Sequence, residues 1–422
     1  MGNEDLDKNG KTWLDCYDTA SSDLFQKLYY FQEMVEKEEN EKCLLFRRVL
    51  LGASGAHAVI QDPYTEKPKD MIMVGSNSYF GLTTHPKVVE AAIEATRKYG
   101  YGTGSVSLLS GTTDLHIELE RRIAAFYKCD DAILFPTGYS ANVGVITGLT
   151  REKDTVINDM FNHASIFDGC RMCGANIKTF AHGNMNHLEK LLKAAKNESH
   201  GTLVITDGVF SMDGDMAKLD KIYELCQAYG AKVMVDEAHS LGVLGAHGRG
   251  TAEQFGLEGK IDVTIGTLSK ITGGIGGYAV GSKALIDYLR FYARSYFFST
   301  SIPVPVIAGL IEIFKILETD SSFRTALWNN IKYTVGALKE AGFKVGDVQS
   351  AIIPIIIGDE DKLKSMSREL HHKGIFINYV AFPAVAKKRC RFRMSIMSQH
   401  TKEDLDFVIS SLIDIGKKYK II

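Results

Sequence analysis

The stretch Ile261-Asp-Val-Thr-Ile-Gly-Thr-Leu-Ser-Lys270 is an apolar run that passes through a short turn with small hydroxyl groups and ends on a lysine. Four glycines follow almost at once, at positions 273, 274, 276 and 277. A second apolar run, Ala231-Lys-Val-Met-Val235, leads into Asp236-Glu237-Ala238-His239. Both runs predict buried strands, each with a chemically useful residue at its carboxyl end.

Lys270 and Asp236 together indicate a pyridoxal phosphate (PLP) enzyme. A lysine among glycines and small hydroxyls can offer its amine to a carbonyl, so Lys270 is the predicted Schiff-base residue. A buried carboxylate can hold a protonated pyridine nitrogen, which predicts that role for Asp236. Either residue alone has an ordinary explanation, because strand-end lysines are usually solvated and acidic residues often cap helices. The prediction depends on the pair.

Two histidines supply the next parts that this cofactor needs. His163, in Asn162-His-Ala-Ser165, follows a predicted strand and can lie flat on the cofactor ring. His239 comes three residues after Asp236 and can reach the phenolic oxygen from the same turn. We therefore predict catalytic roles for Lys270, His163 and Asp236, and a cofactor-binding role for His239.

The phosphate of the cofactor has a predicted cradle in Thr137-Gly138-Tyr139-Ser140. This segment joins a strand to an apparent helix at Ala141–Leu149. Backbone N–H groups at the start of a helix that begins with a glycine favour binding of a dianion. We therefore predict that Gly138 and Tyr139 bind the phosphate. Thr267 and Ser269 add hydroxyl donors next to the lysine.

No metal site is predicted. Cys170-Arg-Met-Cys173 is formally a CxxC motif, but it has no second such motif and no neighbouring histidine pair. We interpret these two cysteines as structural.

The order of the elements predicts an α/β fold with a mostly parallel central sheet. Short apolar runs alternate with helical segments such as 188–195 and 218–229. In such sheets ligands gather beyond the carboxyl ends of the strands, which is where all the candidate residues fall. The predicted strands are Ala132–Phe135, Thr155–Asn158, Leu203–Thr206, Lys232–Val235 and Asp262–Ile265.

Three regions are expected along the chain. Residues 1–55 are polar and form an N-terminal arm, with an amphipathic helix from about Ser22 to Glu36 that packs on the body or on a partner subunit. Residues 56–300 form a large cofactor-binding domain. Residues 301–422 form a smaller α+β domain, which opens on a long helix after Pro303 and Pro305 and contains strands at 352–357 and 374–380.

Composition excludes several classes of protein. The 422 residues carry 49 Lys and Arg against 51 Asp and Glu, so no overall basic field recruits nucleic acid. No apolar run is long enough to span a bilayer, although peripheral membrane contact stays compatible with the sequence. The N-terminus is acidic, whereas a signal peptide would be basic there. Leu6 occupies the position at which an N-myristoylation motif requires Ser or Thr. Seven scattered cysteines are typical of a reducing compartment, so we expect a cytoplasmic protein.

Seven segments, in order from about residue 70 onward, resemble the PLP-dependent α-oxoamine synthases. Among the members of that family the resemblance is greatest to bacterial serine palmitoyltransferases. The segments are Gly75-Ser-Asn-Ser-Tyr-Phe-Gly-Leu82, Asn162-His-Ala-Ser165, Asp207-Gly-Val-Phe-Ser-Met-Asp-Gly214, Val235-Asp-Glu-Ala-His239, Gly248-Arg-Gly250, Gly266-Thr-Leu-Ser-Lys270 and Arg391-Phe-Arg393 with His400-Thr401.

The resemblance implies the aspartate-aminotransferase type of fold (PLP fold type I) and a homodimer with shared active sites. It implies a decarboxylative Claisen condensation between a small amino acid, with L-serine favoured, and a long-chain acyl thioester of CoA or acyl carrier protein. The product would be a 3-keto long-chain base of sphingolipid-type synthesis. Arg393 resembles the carboxylate-binding arginine of the family and Asn77 its companion. Ser211 and Thr300 complete the predicted cofactor-binding set.

One loop departs from the family pattern. Serine palmitoyltransferases usually have the sequence Gly-Ser-Arg before a Leu-Asn-Gly-Thr turn. This chain has Ser105-Val106-Ser107 at those positions, so the arginine is absent. By resemblance the loop lies near the amino-acid side chain, so Val106 and Ser107 are candidate substrate-binding residues. A cysteate acyltransferase for sulfonolipid synthesis, a glycine- or alanine-using synthase and an inactive partner subunit remain alternatives. Lys270 argues against the last of these.

Overall fold

The computed structural model describes residues 22–198 and 200–422. The acidic N-terminal residues discussed above, including Leu6, lie outside the described part of the chain. The strands are β1 (Val49–Leu50), β2 (His57–Gln61), β3 (Pro68–Met73), β4 (Asp131–Phe135), β5 (Thr155–Asp159), β6 (Asn176–Phe180), β7 (Thr202–Asp207), β8 (Lys232–Asp236), β9 (Val263–Thr267), β10 (Gly277–Gly281), β11 (Ile352–Ile356), β12 (Ile375–Phe376), β13 (Asn378–Val380) and β14 (Arg391–Ser395).

Helices flank these strands, as expected when parallel strands need crossover connections. They are α1 (Gln26–Asn40), α2 (Pro86–Tyr99), α3 (Asp114–Phe126), α4 (Gly138–Leu149), α5 (Ala164–Cys173), α6 (Met185–Glu198), α7 (Leu219–Tyr229), α8 (Thr251–Gln254), α9 (Lys283–Tyr292), α10 (Arg294–Phe297), α11 (Val304–Thr319), α12 (Ser322–Glu340), α13 (Glu360–His372) and α14 (Lys402–Lys418). Short 3-10 turns lie at 82–84 and 387–389, and a π-helical turn spans 107–111.

The central sheet has the strand order β4-β10-β9-β8-β7-β5-β6. Strand β10 is antiparallel to both of its neighbours, while the pairs among β9, β8, β7, β5 and β6 are parallel. The mostly parallel α/β fold predicted from the sequence is therefore confirmed, and so are the five predicted strands. Two strands of this central sheet, β6 and β10, were not predicted. Strand β6 shows only Ile177 and Phe180 as large apolar residues, and β10 is bounded by glycines, so neither has a strong strand pattern.

The sheet is buried between helices. Side chains of β4 and β9, such as Ile133 and Ile265, are fully buried in one apolar cluster with Val145 of α4. Every residue of β5 and β9 is buried, as expected for parallel strands that are covered by helices on both faces of the sheet. This packing fixes α4 and the carboxyl ends of the strands relative to one another.

Two smaller sheets complete the fold, with orders β1-β2-β3-β12 and β11-β14-β13. The single strand predicted at 374–380 is wrong in this respect, because the segment is split between the two sheets. Strand β12 pairs in parallel with β3, and β13 pairs antiparallel with β14. The division follows from the hydrogen bonds, since each half finds its backbone partners in a different sheet.

The proposed boundaries at residues 55 and 300 remain a prediction. Strand β3 of the predicted large domain pairs with β12 of the predicted small domain, so the two regions share a sheet. Helix α1 begins at Gln26, four residues later than expected, and its N-cap is Phe25 instead of Ser22. Leu24 and Leu28 are exposed, and the buried Glu38 pairs with Lys364 at 2.8 Å. None of the helices in residues 22–198 and 200–422 has the length and apolar character needed to cross a membrane.

Candidate active site

A cavity of about 240 Å³ opens at the carboxyl ends of β4, β5, β7, β8 and β9. It brings together residues that are widely separated in the sequence, as the parallel sheet predicts. Its lining consists of Thr137, Gly138, Tyr139, Asn142, His163, Ser165, Asp207, Val209, Asp236, Ala238, His239, Thr267, Ser269 and Lys270.

Lys270 and Asp236 face this cavity from neighbouring strands. Asp236 is the last residue of β8 and is 6% exposed; its Oδ1 accepts from the backbone N–H of Ala238 at 2.9 Å. Burial lowers the pKa of Lys270 to about 8, although the charge of Asp236 opposes that change. A substantial fraction of the lysine is therefore uncharged slightly above neutral pH, which is the form that acts as a nucleophile or base.

His163 forms the cap of helix α5 at the end of β5. Its Nδ1 lies 2.7 Å from Ser165 Oγ and accepts from the backbone N–H of Ser165 at 3.3 Å. Its own backbone N–H donates to Asp207 Oδ2 at 3.1 Å. Burial lowers the pKa of His163, so the ring is neutral at pH 7.

His239 is held by a buried tyrosine. The hydroxyl of Tyr79 lies 2.7 Å from His239 Nδ1. Burial raises the pKa of Tyr79 to about 12, while burial and the charges of Lys270 and Arg393 hold the pKa of His239 well below its usual range. The same hydroxyl donates to Asn77 Oδ1 at 3.4 Å, so Tyr79 connects His239 to Asn77.

Arg393 and Asn77 form a contact from opposite ends of the chain. Arg393 lies on β14 and is 7% exposed, and its Nη1 donates to Asn77 Oδ1 at 3.0 Å. Its Nε donates to the backbone carbonyl of Ser211 at 2.6 Å. Because Asn77 uses its oxygen on the arginine, its N–H groups are available for an anion, which suits a carboxylate site.

The start of α4 has the form of an anion cradle. The hydroxyl of Thr137 accepts from the N–H of Ser140, and the hydroxyl of Ser140 accepts from the N–H of Thr137, so the helix starts at Gly138. A Cβ at Gly138 would lie 2.7 Å from the Cβ of Thr267. Glycine therefore allows the hydroxyl of Thr267 to reach the first turn of the helix, where N–H groups and dipole favour negative charge.

Six predicted site residues do not line the cavity of their own chain: Arg393, Asn77, Ser211, Thr300, Val106 and Ser107. Ser211 contributes its carbonyl to Arg393, and Thr300 forms an antiparallel bridge with Val106. Ser107 begins the neighbouring π-helical turn. Tyr139 does line the cavity, but its hydroxyl donates to Asp168.

Sequence reasoning gave no role to the side chains of Asn142, Ser165 and Tyr79, and it placed Asp207 at the site without a role. Asn142 Nδ2 donates to Asp236 Oδ2 at 2.7 Å and to Ser165 Oγ at 2.9 Å. A buried asparagine in an apolar helix was the available signal, but its partners become visible only when α4 packs on β8. Burial and the charge of Asp236 raise the pKa of Asp207 well above its usual range, so Asp207 retains a proton.

These residues fit PLP. Among the described residues, buried Asp207 Oδ1 and Asn142 Oδ1 have no hydrogen-bond partner in the protein. A lysine, an ionisable carboxylate, two neutral histidines and a helix-start cradle surround one cavity. The donors and acceptors match a pyridine ring that carries a phenolic oxygen, a carbonyl carbon and a phosphate.

Comparison with known proteins agrees with this reading. The family described as aminotransferase class I and II matches residues 69–412. An 8-amino-7-oxononanoate synthase of Thermoanaerobacter pseudethanolicus is 41% identical over 387 residues, which are 91% of this chain and 96% of that protein. A serine palmitoyltransferase structure from S. paucimobilis with PLP bound is 34% identical, with a TM-score of 0.90 over 95% of this chain and 100% of that chain.

An 8-amino-7-oxononanoate synthase structure from Francisella tularensis is 25% identical, with a TM-score of 0.72 over 83% of this chain and 99% of that chain. The predictions of the fold, the cofactor and the family are thereby confirmed. The chain belongs to the class I and II aminotransferase family, within its PLP-dependent α-oxoamine synthases.

Proposed function

We propose that this α-oxoamine synthase joins L-serine to a long-chain acyl thioester with loss of CO2 and thiol, which gives a 3-keto long-chain base. We prefer serine over other amino acids because the backbone is more similar to that of the serine palmitoyltransferase. The TM-score is 0.90 for that structure and 0.72 for the Francisella 8-amino-7-oxononanoate synthase. The serine palmitoyltransferase structure also matches more of this chain, which supports the proposal that the substrates of the two proteins bind along paths of similar shape.

Binding of the amino acid starts at its carboxylate. The guanidinium of Arg393 and the amide of Asn77 are 3.0 Å apart and form one anion site. A planar guanidinium matches the two oxygens of a carboxylate, so this pair fixes the orientation of the amino acid relative to Lys270. Every α-amino acid has this group, so the pair positions substrates without choosing among them.

The chemistry takes place at the α-carbon. Bound PLP supplies an electron-accepting ring that stabilises negative charge at that carbon. Lys270 would anchor the cofactor, and its neutral amine would accept the α-proton of the bound amino acid. Asp236 would hold the ring nitrogen protonated, His239 would hydrogen-bond to the phenolic oxygen, and His163 would cover the ring face. The α-carbon bonds to the acyl carbon as the thiolate leaves, and after CO2 is lost the proton held by Lys270 returns to the α-carbon.

A second candidate follows from the 41% identical relative. The product in the name of that relative, 8-amino-7-oxononanoate, has a methyl group beside its amino carbon and a seven-carbon acid chain ending at the ketone. Under the same chemistry these parts come from alanine and a seven-carbon diacid thioester. The apolar Val106 and the absence of an arginine at 105–107 are compatible with a methyl side chain.

The experiment is a matrix of substrates on the holoenzyme. L-serine, L-alanine, glycine and cysteate are each combined with palmitoyl-CoA, pimeloyl-CoA and the matching acyl carrier proteins, with thiol release and product mass as readouts. We expect the highest kcat/KM for L-serine with palmitoyl donors. Preference for alanine with pimeloyl donors would replace the first proposal with the second, and preference for cysteate would establish the sulfonolipid alternative.

The inactive-subunit alternative has a separate test. A Schiff base on Lys270 gives visible absorbance that borohydride removes, and the reduced cofactor stays on the lysine-bearing peptide. Absence of such a peptide, together with no turnover of any pair, would contradict the assignment of Lys270.

We also propose that the protein forms a homodimer in which the 105–107 loop and Thr300 serve the partner's site. Val106 and Thr300 pair with each other outside the cavity of their own chain. Nearby apolar side chains are exposed, with Leu109 at 75% and Phe298 at 65%. Exposed apolar surface of this kind supports contact with a second copy.

A further inference from the structure

A continuous line of hydrogen bonds connects Asp236 to His163. Asn142 Nδ2 donates to Asp236 Oδ2 at 2.7 Å and to Ser165 Oγ at 2.9 Å. Ser165 Oγ lies 2.7 Å from His163 Nδ1. Asn142 and Ser165 are 1% and 0% exposed, so these hydrogen bonds are shielded from water.

The carboxylate of Asp236 determines which groups along this line donate hydrogen bonds and which accept them. A carboxylate can only accept hydrogen bonds, so the amide of Asn142 must turn its N–H2 group towards Asp236. The second N–H of that group then meets Ser165 Oγ, which has to accept it. The opposite orientation of the amide would place two oxygens in contact and is unfavourable.

Because Ser165 Oγ accepts a hydrogen bond from Asn142, its own hydroxyl hydrogen is free to be donated to another group. His163 Nδ1 lies within hydrogen-bond distance of it. The backbone N–H of Ser165 also donates to Nδ1, at 3.3 Å. A nitrogen that accepts from two donors carries no proton. The neutral imidazole of His163 therefore has its proton on Nε2.

We propose that Asn142 and Ser165 are positioning residues that transmit the negative charge of Asp236 to His163 and hold it as the Nε2–H tautomer. The group that anchors the cofactor's ring nitrogen thus also decides that the histidine on the ring face is a donor in the cavity. The inference rests on the proposed roles of Asp236 and His163. It does not depend on which amino acid is the substrate.

The tautomer can be measured directly in the holoenzyme. Protein labelled with 15N-histidine gives different nitrogen shifts for the two neutral tautomers, and the variant His163→Asn identifies the signal by its loss. We expect a protonated Nε2 and an unprotonated Nδ1 at pH 7. A proton on Nδ1 of His163 in the wild type would overturn the inference, whatever the activity of the enzyme.

A matched pair of variants tests the part played by Asn142. Asn142→Leu removes both donors, and we expect mixed tautomers of His163 together with a shifted pH midpoint of the cofactor's visible absorbance. Asn158→Leu is the control, because Asn158 is also fully buried but its Nδ2 donates to Thr179 Oγ1 at 3.3 Å. Equal effects of the two variants, or none from Asn142→Leu, would overturn the role of Asn142.

The outcome is separable from that of the proposed function. If alanine replaces serine as substrate while His163 carries its proton on Nε2, only the substrate assignment fails. If serine is turned over while the proton is on Nδ1, only the tautomer inference fails.

Discussion

At the scale of single residues, two aspartates in register on adjacent strands differ in their hydrogen-bond donors. Asp207 and Asp236 are direct partners in the pairing of β7 and β8. Asp236 receives N–H donors on both oxygens, whereas burial and the charge of Asp236 raise the pKa of Asp207 well above its usual range. Like charges this close are unfavourable in a buried site, and Asp207, whose Oδ1 has no donor, is the residue that keeps a proton.

This asymmetry predicts different results for the same substitution at the two positions. Asp236→Asn removes the charge that holds the ring nitrogen protonated, and turnover should fall about a hundredfold or more with PLP still bound. Asp207→Asn replaces a protonated acid by a neutral group of the same shape and should cost about tenfold or less. Single-turnover rates of cofactor-loaded variants measure both effects. Similar losses for the two variants would contradict the assignment.

Arg393 is predicted to act on all amino acids alike. Arg393→Ala removes the fork that binds the carboxylate, so binding of every amino acid should weaken by roughly 2–5 kcal/mol. Spectral titration of the holoenzyme with serine, alanine and glycine gives these affinities. Arg391, on the same strand, binds Asp213 at 2.8 Å and is the control, since Arg391→Lys should change stability more than substrate affinity. A loss confined to one amino acid would show that Arg393 selects side chains.

At the scale of elements, the start of α4 and two neighbouring loops determine the geometry of the site. Predicting the helix from Ala141 missed its first turn, because the capping pair Thr137 and Ser140 starts it at Gly138. His182, after β6, joins the loop that follows β5 to the loop that follows β7. Its Nδ1 lies 3.0 Å from Asp159, and its Nε2 lies 2.9 Å from Asp215.

Gly138→Ala should weaken the hold on the cofactor's phosphate. The new Cβ would lie 2.7 Å from the Cβ of Thr267, so the cradle must open. Equilibrium titration of apo-protein should show PLP affinity falling by tenfold or more, with a smaller change for pyridoxal, which has no phosphate. Gly336→Ala is the control, because its Cβ would have no neighbour within 4 Å and should be neutral or slightly stabilising. Equal losses for both cofactor forms would place the effect outside the cradle.

The His182 contact predicts a pH-dependent stability. Burial alone would lower the pKa of His182, but the hydrogen bonds that its ring donates to Asp159 and Asp215 outweigh burial and raise the pKa from 6.5 to about 9. Because the folded-state pKa is the higher one, the stabilisation is fully present below pH 6.5 and is lost as pH rises through about 9. The full effect is up to roughly 3 kcal/mol.

Denaturant unfolding at several pH values measures this dependence. The difference in unfolding free energy between wild type and His182→Gln should shrink steadily between pH 6.5 and 9.5. A difference that stays constant over that range would mean that the charge on His182 does not contribute.

At the scale of the whole molecule, we propose that a second copy of the chain contributes to the site. Val106, Ser107 and Thr300 were predicted to bind substrate or cofactor, yet they lie outside the cavity of their own chain. A shared site would explain both observations.

Mixed dimers test this arrangement. One chain carries Lys270→Ala together with Val106→Ser and Ser107→Arg, and its partner is wild type, with different affinity tags to isolate the heterodimer. The surviving site then has the wild-type lysine but an exchanged loop from the partner, so its ratio of serine to alanine turnover should shift. A Lys270→Ala chain with the natural loop is the control. An unchanged ratio would show that the loop serves its own chain or does not contact the substrate.

The sequence by itself determined the reactive set and the class of fold. Lys270, Asp236, His163 and His239 each follow an apolar strand, and parallel strands bring their carboxyl ends to one edge, so local patterns were sufficient to predict their convergence. Identity of the cofactor followed from the chemistry of these residue types.

Only the tertiary structure decided how these groups are protonated and oriented. The pKa of Lys270, the proton retained by Asp207 and the hydrogen bonds of the two histidines depend on burial and on contacts between distant segments, such as Tyr79 with His239 and Asn142 with Asp236. The split of 374–380 between two sheets has the same origin, since the partners β3 and β14 are far away in sequence. Side-chain periodicity reports which faces are buried, but it does not report which polar groups meet there.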